Sequence, residues 1–333
     1  MYNINLHNMK KFNVFKTVLG CSLAALILTA TSCSEDYVVE SKSKVELLEQ
    51  SKLISDLAQY NKEIITQTPI TRSKTSTIVI ADIKGAYNGG KIGYNLTKKY
   101  KNNTVTIVST LIGGSIYGGY CSWKANKKSN KDNTPTGGLT IKGDPNNGST
   151  VINPGNADIN NIICTALENG EVNTNAFTNN NASIIPLLTL DEKLLASVKL
   201  TKEQLNIGKL HNVLLAAFEN KISLNDACKK VESCDSIVNM VINSKEIAEL
   251  CNKIGTPEEN SYFYVNEPLP DKVIELFNEI FQDAASDYDT VVRLINKYSE
   301  EIDKTSELTE DQKTSIKNGL STALYSFNYW HNN

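Results

Sequence analysis

Ala81-Asp82-Ile83-Lys84-Gly85-Ala86-Tyr87-Asn88-Gly89-Gly90-Lys91-Ile92-Gly93 and Thr110-Leu111-Ile112-Gly113-Gly114-Ser115-Ile116-Tyr117-Gly118-Gly119-Tyr120-Cys121-Ser122 each carry a small residue at every fourth position. In the first the row is Ala81, Gly85, Gly89 and Gly93; in the second it is Thr110, Gly114, Gly118 and Ser122. On an α-helix four residues are slightly more than one turn, so each row forms a shallow groove that drifts slowly round the axis. A helical glycine costs about 1 kcal/mol relative to alanine, so Gly113, Gly114, Gly118 and Gly119 together give up about 4 kcal/mol of propensity. Close backbone approach recovers such a loss through short dispersion and Cα–H···O contacts. The polar link Lys98 to Asn103 is short. The two rows therefore predict an antiparallel helical hairpin over residues 75–123, packed through its small residues. An irregular sheet is the other arrangement that glycine mixed with tyrosine allows.

Whether the hairpin meets lipid stays open at this level. Thr104 to Trp123 carries no charge and as a helix would be about 30 Å long, enough for a bilayer core. Its partner contains Asp82, Lys84 and Lys91, each costing about 2.5–3.5 kcal/mol at a membrane centre. One reading packs the hairpin inside a globular protein; the other inserts or oligomerises it in a bilayer.

Moving toward the N-terminus, residues 33–74 contain an amphipathic pattern, with Val45, Leu48, Ile54, Leu57, Ile64 and Ile65 recurring near helical spacing. Before it, residues 1–32 have the layout of an export signal: Lys10, Lys11 and Lys16, then an apolar run from Thr17 to Ala30. That run is too short for a permanent span. It leads into Leu28-Thr29-Ala30-Thr31-Ser32-Cys33, which looks like a lipobox whose Cys33 thiol accepts a diacylglycerol. Two or three acyl chains anchor stably, at about 0.8 kcal/mol per buried CH₂. The mature chain is thus expected to begin at Cys33, tethered to a membrane, with Met9 a better start than Met1 because Lys10 and Lys11 follow it at once. Ser34, Glu35 and Asp36 next to the anchor resemble the surface-export signal of Bacteroidetes lipoproteins, and that resemblance implies an outer-membrane, lipid-anchored protein open to surface exposure.

Toward the C-terminus, residues 124–161 are rich in Lys, Asn, Gly and Pro and predict a long irregular loop. Residues 162–333 read as a helical bundle. Thr201-Lys202-Glu203-Gln204 and Thr309-Glu310-Asp311-Gln312 are capping boxes that start two of its helices. A further helix is expected from about Ser223 until Gly255 and Pro257, and others over Asp271 to Phe281 and around Val291 to Tyr298. With no βαβ alternation, the fold class is all-α: a helical bundle with a glycine-rich antiparallel hairpin and one long loop.

Composition narrows the chemistry. The chain has 34 basic and 37 acidic side chains, and removing the leader takes away three lysines and no acid, so nucleic acid is not an expected partner. Arg72 and Arg293 are the only arginines, which argues against phosphate handling. Outside the signal and the anchor stand Cys121, Cys164, Cys228, Cys234 and Cys251, an odd number best read as buried thiols. Neither His211 nor His331 sits at ligand spacing from a cysteine pair, so no metal site is assigned. His211, with Asn212 beside it and Glu203 two turns earlier, is a candidate base that reads better as a buried register-setting residue. No catalytic residue and no cofactor are assigned. Asp235-Ser236-Ile237 and Asp289-Thr290-Val291 have the form of O-glycosylation triplets, and Phe327, Tyr329 and Trp330 suit an aromatic face docking into the bundle.

Asp82-Ile83-Lys84-Gly85-Ala86-Tyr87-Asn88-Gly89-Gly90, Ile207-Gly208-Lys209-Leu210-His211-Asn212 and the ending Ala323-Leu324-Tyr325-Ser326-Phe327-Asn328-Tyr329-Trp330 resemble a group of Bacteroidetes lipoproteins with a glycine-rich segment, a Gly-x-Leu-His-Asn helix and a Tyr-Trp finish. The resemblance implies an address and an organisation, not an activity. The expected function is therefore a non-enzymatic outer-membrane lipoprotein with a structural or protein-interaction role, including self-association. The alternative is a membrane-active, toxin-like protein whose hairpin inserts into a bilayer.

Overall fold

The computed structural model describes residues 51–67, 72–129, 142–143, 150–151, 159–168, 171–178, 182–222, 235–242, 244–247 and 267–333, with isolated positions between. The predicted export signal, Cys33, most of the predicted loop, Cys228, Cys234, Cys251 and the greater part of the helix expected over 223–255 lie outside the described residues. Among those described, 84% are helical, and the fold is an all-α bundle.

Helix α1 (Lys52–Gln67) is followed by α2 (Lys74–Thr97) and α3 (Asn103–Ser129), with a 3-10 turn at Lys98–Tyr100 between the last two. A two-residue ladder joins β1 (Lys142–Gly143) to β2 (Thr150–Val151). Then come α4 (Ile159–Ala166), the ladder of β3 (Leu167–Glu168) with β4 (Glu171–Val172), and the short helices α5 (Asn175–Thr178), α6 (Ile185–Leu188) and α7 (Glu192–Ser197). The remaining helices are α8 (Lys202–Phe218), α9 (Asp235–Ile242), α10 (Pro268–Ala284), α11 (Tyr288–Lys304) and α12 (Glu310–His331).

Local chemistry explains the ends. Ser73 caps α2 in a reciprocal box with Ser76, and Thr201 with Gln204 and Thr309 with Gln312 do the same for α8 and α12, satisfying amides that have no partner inside the helix. Pro268 and Pro270 fit within the first turn of α10, where no intrahelical N–H is needed, so that helix starts three residues before Asp271. Lys101 closes the turn after α2 in the left-handed region at φ 53°, which gives the reversal into α3.

The hairpin of α2 and α3 is the middle of the molecule. Helix α8 packs on α3, α12 packs on both α2 and α8, and α10 packs on α2. The sequence reading set residues 162–333 apart as a bundle beside the hairpin; instead α8 and α12 wrap the hairpin and share one core with it. Two boundaries also shift: α3 runs to Ser129, taking residues from the predicted loop, and α4 begins at Ile159.

Helix α1 docks on α10 and α11, burying Leu53, Leu57 and Ile64. Asn61 fixes its register: Nδ2 donates to the Leu276 carbonyl oxygen at 2.9 Å, and Oδ1 accepts from the Tyr298 hydroxyl at 3.1 Å. Asn61→Leu takes the acceptor from the buried Tyr298 hydroxyl and the second donor from the Leu276 carbonyl, and urea unfolding should show a loss of about 1–3 kcal/mol. An unchanged midpoint would mean that α1 is held by its apolar face alone.

Candidate functional site

The contact between α2 and α3 is made by backbone. A Cβ on Gly89 would stand 2.2 Å from the Gly113 carbonyl oxygen, and one on Gly113 would stand 2.3 Å from the Gly89 oxygen. Each glycine thus points a Cα–H at the other's carbonyl, a reciprocal pair of weak hydrogen bonds. One turn along, a Cβ on Gly93 would lie 2.0 Å from the Ser109 oxygen, and one on Gly85 would lie 2.8 Å from the Gly118 Cα.

The first predicted row is therefore placed against α3 at Gly85, Gly89 and Gly93, with Ala81 half-buried at its end. The second row meets α2 as well, at Gly118 against Gly85 and at Gly114 against the Ala86 oxygen, but it is not the row of closest approach throughout. The residues of α3 that meet Gly93 and Gly89 are Ser109 and Gly113, one position before Thr110 and Gly114. Gly114 and Gly118 sit where α2 and α8 converge: a Cβ on Gly114 would be 2.5 Å from Ile207 Cδ1 and 2.9 Å from the Ala86 oxygen, and one on Gly118 would be 3.2 Å from His211 Cδ2. Gly119 faces Phe218, and Thr110 lies in ordinary contact with Gly90. The doubled glycines strip two faces of α3, one for α2 and one for the side chains of α8. Helix α8 needs the same device, because a Cβ on Gly208 would be 2.7 Å from the Ser321 oxygen of α12.

At the centre of the four helices lies a polar cluster closed to solvent. Asp82, Ser122, His211, Asn212 and Ser326 are all 0% exposed. The Ser122 hydroxyl donates to Asp82 Oδ2 at 2.8 Å, and the Ser326 hydroxyl donates to the same oxygen. Trp330 Nε1 donates to Ser122 Oγ at 2.9 Å, extending the chain to the end of α12. Asn212 Nδ2 donates to the Leu187 and Tyr325 carbonyl oxygens, which leaves its Oδ1 for His211 Nδ1 at 3.0 Å. His211 Nδ1 therefore carries a proton. His211 Nε2 stands 3.5 Å from Asp82 Oδ2. Burial pushes the Asp82 carboxyl up, against the pull of His211 and the two hydroxyls. This cluster ties α2, α3, α8 and α12 together, and no face of it is open to a substrate.

Glu203, two turns before His211, is exposed and stays apart from it. Cys121 and Cys164 are buried free thiols. Ser236 is exposed, whereas Thr290 is buried in the first turn of α11. Phe327 and Tyr329 are buried and Trp330 partly so, with Phe327 edge-on to Phe281 and Tyr288.

Two features escaped the sequence reading. Lys91, buried on α2, pairs with Glu267, lies 3.7 Å from Asp271 Oδ1 and sits over the Tyr87 ring, while the Tyr87 hydroxyl donates to Asp271 at 2.8 Å. The unusual placing of a lysine between Gly90 and Gly93 was the signal. The second is a cavity of about 390 Å³ where α2 ends and α3, α8 and α12 begin, with Glu203 and Asp311 on its rim and Ile207 and Asn318 in its floor. It is made of residues more than a hundred apart and left no local pattern. Among the described residues, no group of His, Cys, Asp and Glu is arranged to hold a metal ion.

The packing geometry sets opposite signs at neighbouring glycines. Gly89→Ala should lose about 1–3 kcal/mol in urea unfolding despite its better helix propensity, because the Gly113 backbone cannot give way. Gly90→Ala, whose Cβ would meet nothing nearer than 3.6 Å, should be neutral or up to about 1 kcal/mol stabilising. Equal effects at both sites would remove the case for backbone contact.

The raised Asp82 carboxyl fixes a pH trend. Its folded pKa lies above the unfolded one, so the stability it contributes is complete below the unfolded value and is lost as pH climbs through the folded one. The stability of the wild type relative to Asp82→Asn should therefore decline as pH is raised from about 4 to about 8 in paired urea titrations. A difference that grew with pH would show a carboxylate stabilised in its charged form.

No protein-family model, curated protein or solved structure matches this chain, so its function is argued from its own residues.

Proposed function

We propose that the protein is a membrane-tethered lipoprotein of the outer membrane, anchored through Cys33, whose helical bundle serves structure or interaction with other proteins. The observation that carries the reading is Leu28-Thr29-Ala30-Thr31-Ser32-Cys33 behind a basic start and a short apolar run. The use made of the hairpin supports it. One bare face of α3 is covered by α2 and the other by α8, and the buried pair Asp82 and His211 is closed to solvent.

The same packing weighs against hairpin insertion. Among the described residues no helix is long and apolar enough to cross a membrane. To enter a bilayer, the hairpin would have to carry Asp82 away from Ser326 and His211 and Lys91 away from Glu267, and each unpaired charge costs several kcal/mol there (about 2.5–3.5 on insertion scales).

Cys33→Ala should abolish incorporation of labelled fatty acid and release the protein from the membrane fraction, while the helical signal in circular dichroism stays unchanged. Retention of the variant on membranes would overturn the anchor. Non-acylated protein should release no dye from liposomes; release that Gly114→Leu abolishes would instead establish the hairpin as a membrane-active element.

A further inference from the structure

The cavity at the end of the bundle has a lining unlike the rest of the surface. Its floor contains Ile207, 2% exposed, and Asn318, 7% exposed. The Asn318 side-chain amide makes no hydrogen bond to another described residue and lines the cavity, although the residue as a whole is more than nine-tenths buried. Nearby, the Ser315 and Thr110 hydroxyls donate back to the Asp311 and Thr106 carbonyl oxygens, so what they offer the cavity is acceptor lone pairs. One wall carries Ile107, a large apolar side chain left 55% exposed.

The rim bears two carboxylates, Glu203 and Asp311, and the lining includes no lysine, arginine or histidine. The Tyr94 hydroxyl donates to Asp311 Oδ2, which holds that carboxylate over the opening. Hydrogen bonds from its own backbone N–H and from Thr201 hold the Glu203 carboxyl below the usual range, so it is ionised at neutral pH. The N-termini of α3, α8 and α12 meet here with about half a positive charge each, and the C-terminal end of α2 opposes them with about half a negative one. Two full negative charges outweigh that sum, and the net field at the mouth is that of about one negative charge. The volume of about 390 Å³ is that of a small-molecule site.

We propose that this cavity binds a small organic monocation: a primary ammonium group held by Glu203, Asp311 and the Asn318 amide, on an apolar stem that lies against Ile107 and Ile207. The site does not depend on the lipid anchor. The ammonium fits because its three donors meet a lining of acceptors, and the stem fits because the floor and one wall are aliphatic.

Calorimetric titration of the full-length chain with phenethylamine, 2-phenylethanol and phenylacetate separates charge from shape. Phenethylamine should bind at least about tenfold tighter than the alcohol, and Asp311→Asn and Asn318→Leu should each weaken it by about tenfold. Glu203→Gln, at an exposed position, should weaken it with at most a small fall in melting temperature from the charge lost at the helix start, which keeps the test valid if either of the other variants unfolds. Equal binding of the alcohol would overturn the proposal in favour of an apolar slot, and tighter phenylacetate would overturn it in favour of the helix N-termini. No binding by any of the three would leave the cavity to solvent. Nα-acetyl-lysine N-methylamide forms the last arm: tighter binding than phenethylamine assigns the cation to a lysine of a protein partner, and weaker binding assigns it to a free amine.

Discussion

Helices α2 and α3 lie so close that carbonyl oxygens occupy the places where side chains would begin. At Gly89 and Gly113 the approach is reciprocal, so neither residue can be enlarged without displacing the other's backbone. The helices give up about 1 kcal/mol of propensity at each glycine, and dispersion between two backbones in contact offsets it. The rest of the bundle is arranged around that contact. Large residues of the hairpin itself, among them Ile83, Tyr87, Ile112 and Ile116, are buried around that contact, and Ile207, His211 and Phe218 of α8 fill the second bare face of α3.

A bundle packed through small residues has an alignment problem, because a groove of glycines accepts a partner at several registers. The polar cluster answers it. Asp82 must meet Ser122, Ser326 and His211 at once, and a shift of one turn on any of four helices would strand a buried carboxyl. Asn212 adds two backbone carbonyls from α12 and the segment before α8. Lys91 does the same toward α10 through Glu267 and Asp271. These groups carry a desolvation cost, and a unique alignment is what they contribute in return.

The same crowding leaves the end of the bundle open. Where α2 stops at Thr97 and the chain turns through Lys101, the helices that enclose the hairpin have only just begun, and their capped first turns splay around a gap. Carboxylates suit those first turns because they face the positive ends of helices, and there they also give the gap its charge.

Helicity, the hairpin and its dependence on small residues were legible in the linear chain because they are local properties: capping boxes, 3.6-residue periodicity and a short polar link. The row Gly85, Gly89, Gly93 was read correctly as a contact surface for the same reason. Which residues of α3 come closest to it was not legible, since Gly113-Gly114 and Gly118-Gly119 bare two adjacent faces and periodicity does not say which neighbour takes which. Asp82 and His211 lie far apart along the chain and carry no mutual spacing signal, and the cavity assembles from the ends of four helices. The order of residues determined which surfaces were smooth enough to touch. Only long-range packing decided which of them did, because burial of polar groups has one low-cost arrangement and that arrangement exists only when all four helices are in place.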